Sequence, residues 1–157
     1  MRYFMIKISL LMVFFLVSVA YAETVKTEME LAGVRLGLSK SDVINVLGEP
    51  VSESLIVAPG TGIVYDFMDY RHSGILVILK DSNVSSVSIF SPCKSKTRKG
   101  LAIGDNLSVA KKLYGNSVKK SLGYASKFFF PEYNLTVKGL KGTVIITEIT
   151  IGSGEIY

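Results

Sequence analysis

Hydrophobic and polar positions divide the chain into one apolar block followed by two similar stretches of short elements. Ile8 to Ala20 is apolar apart from Ser9 and Ser18. Beyond it the apolar residues recur at helical spacing twice. Val43, Val46 and Leu47 predict one short helix, with Ser39 as N-cap, Asp42 completing a capping box, Gly48 at its end and Pro50 forbidding continuation. Leu107, Ala110, Leu113 and Tyr114 predict a second, capped by Asp105 or Asn106 and ended by Gly115. After each helix come four β-rich runs. The first set is Ser52–Val57, Ile63–Tyr70, Ile75–Leu79 and Val84–Phe90, and the second is Val118–Leu122, Lys127–Pro131, Leu135–Lys138 and Thr143–Ile151. Alternation over Glu23–Leu31 predicts a further strand.

The two stretches align. Residues 33–48 and 100–115 share Gly33/Gly100, Gly37/Gly104, Ser41/Ser108 and Gly48/Gly115 without a gap. Further on, Tyr65–Tyr70 is set against Phe128–Tyr133, and Ser86–Ile89 against Glu148–Ile151. An internal repeat of this kind predicts the fold class α+β: two tandem helix-plus-four-strand units forming an antiparallel sheet with helices on one face. The organisation expected is residues 1–22 as signal peptide, 23–91 as the first unit, 92–99 as a basic linker and 100–157 as the second unit.

Arg2 and Lys7 before the apolar block, and Ala20-Tyr21-Ala22 after it, make the three-part pattern of a cleavable signal peptide with Glu23 as first mature residue. The block is shorter than the roughly 20 residues of a spanning helix. Glu23 is not a Cys, so no lipid anchor is expected. Localisation is therefore periplasmic or secreted. The net charge of +5 includes the two leader cations, which leaves the mature chain mildly basic. With export, this argues against nucleic acid as partner.

The segment Gly33–Val43 with Leu47-Gly48-Glu49-Pro50 resembles the opening of the SmpA/OmlA (BamE-like) outer-membrane assembly proteins. It equally resembles the tandem units of the β-lactamase inhibitor protein-like (BLIP-like) fold. The resemblance implies a helix-and-sheet unit and a role in binding or assembly. The lipid-bearing Cys of the first family and the disulfides of the second have no counterpart, because the only Cys is Cys93. No functional residue of either family maps onto this chain.

The chemistry-bearing residues support no enzyme. His72 is the only His, so neither a His cluster nor a zinc-ligand spacing exists. No G-x-S-x-G nucleophile motif appears. Asp66 and Asp69, three apart on one strand, point to opposite faces. No catalytic residue, metal or cofactor is expected. The reading is an exported non-enzymatic protein-binding module of the cell envelope or extracellular space, with a BamE-like assembly factor as the alternative. The partner-binding residues expected are the aromatics Tyr65, Phe67, Phe128 and Phe130 on the sheet face away from the helices. Lys94, Lys96, Arg98 and Lys99 of the linker form its rim, and through them an anionic membrane surface is a second expected partner.

Overall fold

The described residues form two capped helices and ten strands, one strand more than the pattern predicts. The computed structural model describes residues 27–122 and 124–153, so the signal segment 1–22 lies outside the described residues. Helix α1 (Lys40–Leu47) opens on the expected capping box: the Ser39 side chain accepts from the Asp42 N–H, and the Asp42 carboxylate accepts from the Ser39 N–H. It closes at Gly48, whose φ of 80° with ψ of −169° is a conformation reserved in practice for glycine. Helix α2 (Leu107–Tyr114) starts at Asn106, whose side chain accepts from the Ser108 N–H. Helices this short are not stable alone. They are held by Val43, Ala110 and Tyr114, which are buried in the common core.

The strands are β1 (Glu30–Leu31), β2 (Val34–Arg35), β3 (Ser52–Val57), β4 (Val64–Tyr70), β5 (Ile75–Lys80), β6 (Asn83–Phe90), β7 (Val118–Leu122), β8 (Ala125–Phe130), β9 (Leu135–Leu140) and β10 (Ile146–Gly152). Strands β3 to β10 form one eight-stranded antiparallel sheet in the order β3-β4-β5-β6-β10-β9-β8-β7. This corrects the expected α+β arrangement of two tandem helix-plus-four-strand units. No boundary divides the sheet, because β6 and β10, far apart in sequence, pair at its centre with Ile89 opposite Ile149 and Val87 opposite Ile151. A separate two-stranded sheet, β1–β2, stands outside it. The expected strand over Glu23–Leu31 is reduced, within the described residues, to Glu30–Leu31. Its partner β2 follows a turn in which Ala32 and Gly33 both have positive φ, the requirement of a tight hairpin.

Alternation along the strands assigns the two faces. Met68, Tyr70, Val77, Leu79, Val87, Ile89, Phe130, Leu135, Val137, Ile149 and Ile151 all point to the side of the helices and are buried. Each such side chain contributes about 1.5–3 kcal/mol on burial. Leu31 and Val34 of the small sheet join the same core. The helices and the β1–β2 hairpin therefore lie on one side, and among the described residues nothing covers the other, open face of the large sheet.

A buried polar network ties residues before β1 and after β6 to α2. Tyr114 donates its hydroxyl to the Glu28 carboxylate at 2.9 Å and shares a 2.6 Å hydrogen bond with Thr97 Oγ1. Glu28 and Thr97 are both buried. Burial raises the Tyr114 hydroxyl pKa well above its ordinary value, with the Glu28 carboxylate pushing the same way.

Candidate functional site

Because successive side chains alternate, the positions facing away from the helices form rows that cross the sheet. One row runs Asp69, Leu76, Ser88, Thr150, Thr136, Phe129 from β4 to β8. The neighbouring row sets Phe67 beside Ile78 and Ser86. A third sets Glu148 beside Lys138 and Lys127. These rows enclose a depression of about 170 Å³ between an apolar wall on β4–β5 and a charged wall on β8–β9.

The floor of the depression is made of hydroxyls. Ser88 and Thr150 sit opposite one another on β6 and β10 and share a hydrogen bond of 2.8 Å. Thr150 also donates to Glu148 Oε1 at 3.2 Å, and Lys138 donates to the same oxygen at 2.7 Å. Ser86 is different. It is fully buried, and its Oγ has no hydrogen-bond partner among the described residues. A buried hydroxyl with nothing to bond costs free energy that its neighbours do not incur. Lys127, half-buried on the charged wall, has no ion-pair partner among the described residues.

The expected binding residues divide. Tyr65 and Phe67 are half-buried on the open face. Phe128 and Phe130 are not on it: they face the helices, 8% and 0% exposed, and belong to the core. The aromatic of β8 that faces outward is Phe129. Lys94 is exposed. Lys96 and Arg98 are also exposed and line a groove of about 710 Å³ against β1–β2, on the helix side rather than at the rim of the open face. Lys99 is not a rim cation either. Its Nζ donates to Tyr133 Oη at 2.9 Å and to the Leu113 carbonyl at 2.8 Å, and lies 4.0 Å from the centre of the Tyr133 ring. The groove beside β1–β2 is larger than the open-face depression, but its carboxylates are engaged. Glu28 accepts from Tyr114, and Glu30 faces Arg35 at 3.7 Å.

Asp66 and Asp69 do point to opposite faces. Asp66 shares Lys40 with Glu53, at 3.0 and 2.6 Å, while Asp69 binds Arg71 through its backbone N–H and its guanidinium. Sequence reasoning missed Ser86, Ser88, Thr136 and Thr150. The signal was present: Ser86-x-Ser88 and Thr150 alternate with Val87, Ile89, Ile149 and Ile151, which fixes hydroxyls on one face of both central strands.

No family model matches the sequence, and no curated protein does. The fold has solved relatives of low identity. The chain is similar to the uncharacterised protein yfeY from Escherichia coli, with a TM-score of 0.55 and 14% identity over 81% of this chain and 98% of that one. It is similar to an extracellular protein containing an SCP domain from Bacillus anthracis, with a TM-score of 0.53 and 13% identity over 76% of this chain. It is also similar to a cysteine-rich secretory protein from Staphylococcus aureus, with a TM-score of 0.50 and 11% identity over 85% of this chain. The chain spans 44% and 48% of the length of these last two, so what matches is a part of each. None of the three is described as a β-lactamase inhibitor or an SmpA/OmlA protein. They establish a shared fold, which in two cases occurs within extracellular or secretory proteins.

Proposed function

We propose that this chain is an exported, non-enzymatic protein-binding module and that its partner docks on the open face of the eight-stranded sheet. The observation that carries the reading is the open face itself. Both helices and the small hairpin pack on the opposite side, yet this face bears Tyr65, Phe67 and Leu76 beside buried hydroxyls, one of them unbonded. An aromatic and aliphatic patch rimmed by polar groups is the usual composition of a recognition surface. Export is supported by the leader pattern of residues 1–22 and by the extracellular setting of two proteins of similar fold.

Two experiments test this. Intact-mass analysis of the protein recovered outside the cytoplasm should give Glu23 as the first residue, and a retained leader would count against export. Chemical crosslinking in envelope extract should capture a protein partner that Tyr65→Ser with Phe67→Ser no longer captures although the variant still melts cooperatively well above the temperature of the assay. Equal capture by wild type and the double variant would remove the open face as the docking surface.

A further inference from the structure

The depression on the open face has a chemistry more specific than a general contact patch. Its two walls differ in kind. Phe67, Leu76 and Ile78 make one side apolar, and Lys127 with the Lys138–Glu148 pair makes the other side charged. Two lysines and one glutamate line it, so the charged wall carries one uncompensated positive charge, on Lys127. Between the walls lie Ser86, Ser88 and Thr150, and the Ser86 hydroxyl is buried without a partner among the described residues.

We infer that this depression is a subsite for an extended peptide segment carrying an apolar side chain at one end and a single carboxylate at the other. The inference rests on the reading of the open face as the binding surface and adds what that surface selects. The apolar side chain packs on Phe67, Leu76 and Ile78. The carboxylate neutralises Lys127, whose neighbour on β9, Lys138, is already paired. The peptide's own amides meet the hydroxyl row and supply the bond that Ser86 lacks. A plain acyl chain ending in a carboxylate fits less well, because it would cover the hydroxyls without bonding them.

The spacing sets the length. From β5, which carries Leu76 and Ile78, to β8, which carries Lys127, there are four strand-to-strand steps through β6, β10 and β9. At about 4.8 Å each these cover about 19 Å, which a peptide advancing about 3.3 Å per residue spans in roughly six residues.

The probe is the hexapeptide acetyl-Leu-Gly-Ser-Gly-Ser-Gly with a free C-terminal carboxylate, compared with its C-terminal amide and with decanoate. Backbone amide shifts of the exported protein are followed by NMR during titration. The free acid should give saturable shifts on β5, β6, β9 and β10. The amide should bind about fivefold more weakly, the scale of one partly exposed ion pair. Lys127→Gln should erase the difference between acid and amide, and Ser86→Ala should weaken both. Equal binding of acid and amide by the wild type, shifts confined to another surface, or tighter saturation by decanoate would each overturn the inference. The crosslinking experiment separates the two ideas. If Tyr65→Ser with Phe67→Ser abolishes partner capture while no peptide titrates, the docking face stands and the peptide subsite falls.

Discussion

Two serines on the same face of β6 should respond to the same substitution with opposite sign. Ser86 is fully buried and its Oγ bonds to none of the described residues, whereas Ser88, 7% exposed, is bonded to Thr150 at 2.8 Å. Changing Ser86 to Ala removes an oxygen that gains nothing in the folded state and is hydrated in the unfolded one. The desolvation cost of an unmade bond is about 1–3 kcal/mol, so a gain near 1 kcal/mol is expected after the small loss of packing. For a domain of this size that is a rise of about 3–5 °C in Tm. Changing Ser88 to Ala removes a made bond and should cost about 1 kcal/mol, softened because Thr150 keeps its bond to Glu148 at 3.2 Å. Strand propensity cancels, since both changes are Ser to Ala two positions apart on one central strand. Urea melts with an unchanged m-value give both numbers. If Ser86→Ala destabilises as much as Ser88→Ala, the Ser86 hydroxyl is bonded within the folded protein and the argument for a ligand-facing group fails. A variant that is more stable yet binds the hexapeptide less well would mark Ser86 as retained for recognition rather than for folding.

Three other outcomes are expected. Phe128→Ser should cost about 3 kcal/mol or more, because the ring is core, while Tyr65→Ser on the open face should cost about 1 kcal/mol or less; denaturant midpoints of the two single variants check this. Gly74→Ala should lose about 2 kcal/mol or more, since its Cβ would lie 2.2 Å from the Phe90 carbonyl oxygen and 2.7 Å from the Cys93 nitrogen at a φ of +68°. Gly48→Val has open space around its Cβ and should lose about 1 kcal/mol through its backbone alone. Burial raises the Tyr114 pKa above its unfolded value, so the stability it contributes is complete below about pH 10 and is lost as pH rises beyond that. Urea midpoints measured through the alkaline range should fall, and Tyr114→Phe should flatten the part of that fall due to Tyr114, leaving that of Tyr70, which burial also raises.

What was legible in the sequence was what depends on neighbours along the chain. Ser39 with Asp42 is a cap closed within a few residues and was readable, and the second cap was narrowed to Asp105 or Asn106, of which the structure uses Asn106. What was not legible depends on distant pairing. Nothing local says that β6 pairs with β10, and that pairing turns the expected two units into one sheet with a hydroxyl row across its middle. Lys99 failed for the same reason. A lysine in a polar stretch reads as solvated charge, and its partners Tyr133 and the Leu113 carbonyl come from elsewhere in the chain.

The misplaced aromatics follow from a register argument. Similarity of residue type set Tyr65–Tyr70 against Phe128–Tyr133, aligning Tyr70 with Tyr133. In the structure β4 ends at Tyr70, followed by the 3-10 turn Arg71–Ser73, and β8 ends at Phe130, followed by the 3-10 turn Pro131–Tyr133. Tyr70 therefore matches Phe130, and the alignment was shifted by an odd number of residues. An odd shift moves every side chain of a strand to the other face, which is why Phe128 and Phe130 are buried while Tyr65 and Phe67 are not. Counting back from the two turns, Phe129 stands where Asp69 does, and Lys127 stands where Phe67 does. The open face is thus apolar where β4 supplies Phe67 and cationic where β8 supplies Lys127. A surface with unlike ends can fix the direction of an extended ligand as well as hold it. Exchanging the ends, with Phe67→Lys and Lys127→Phe in one chain, should therefore reverse the orientation of the bound hexapeptide. A spin label on its leucine end should then broaden β8 and β9 amides in the exchanged variant but β4 and β5 amides in the wild type, and identical broadening in both would show that the two walls do not orient it.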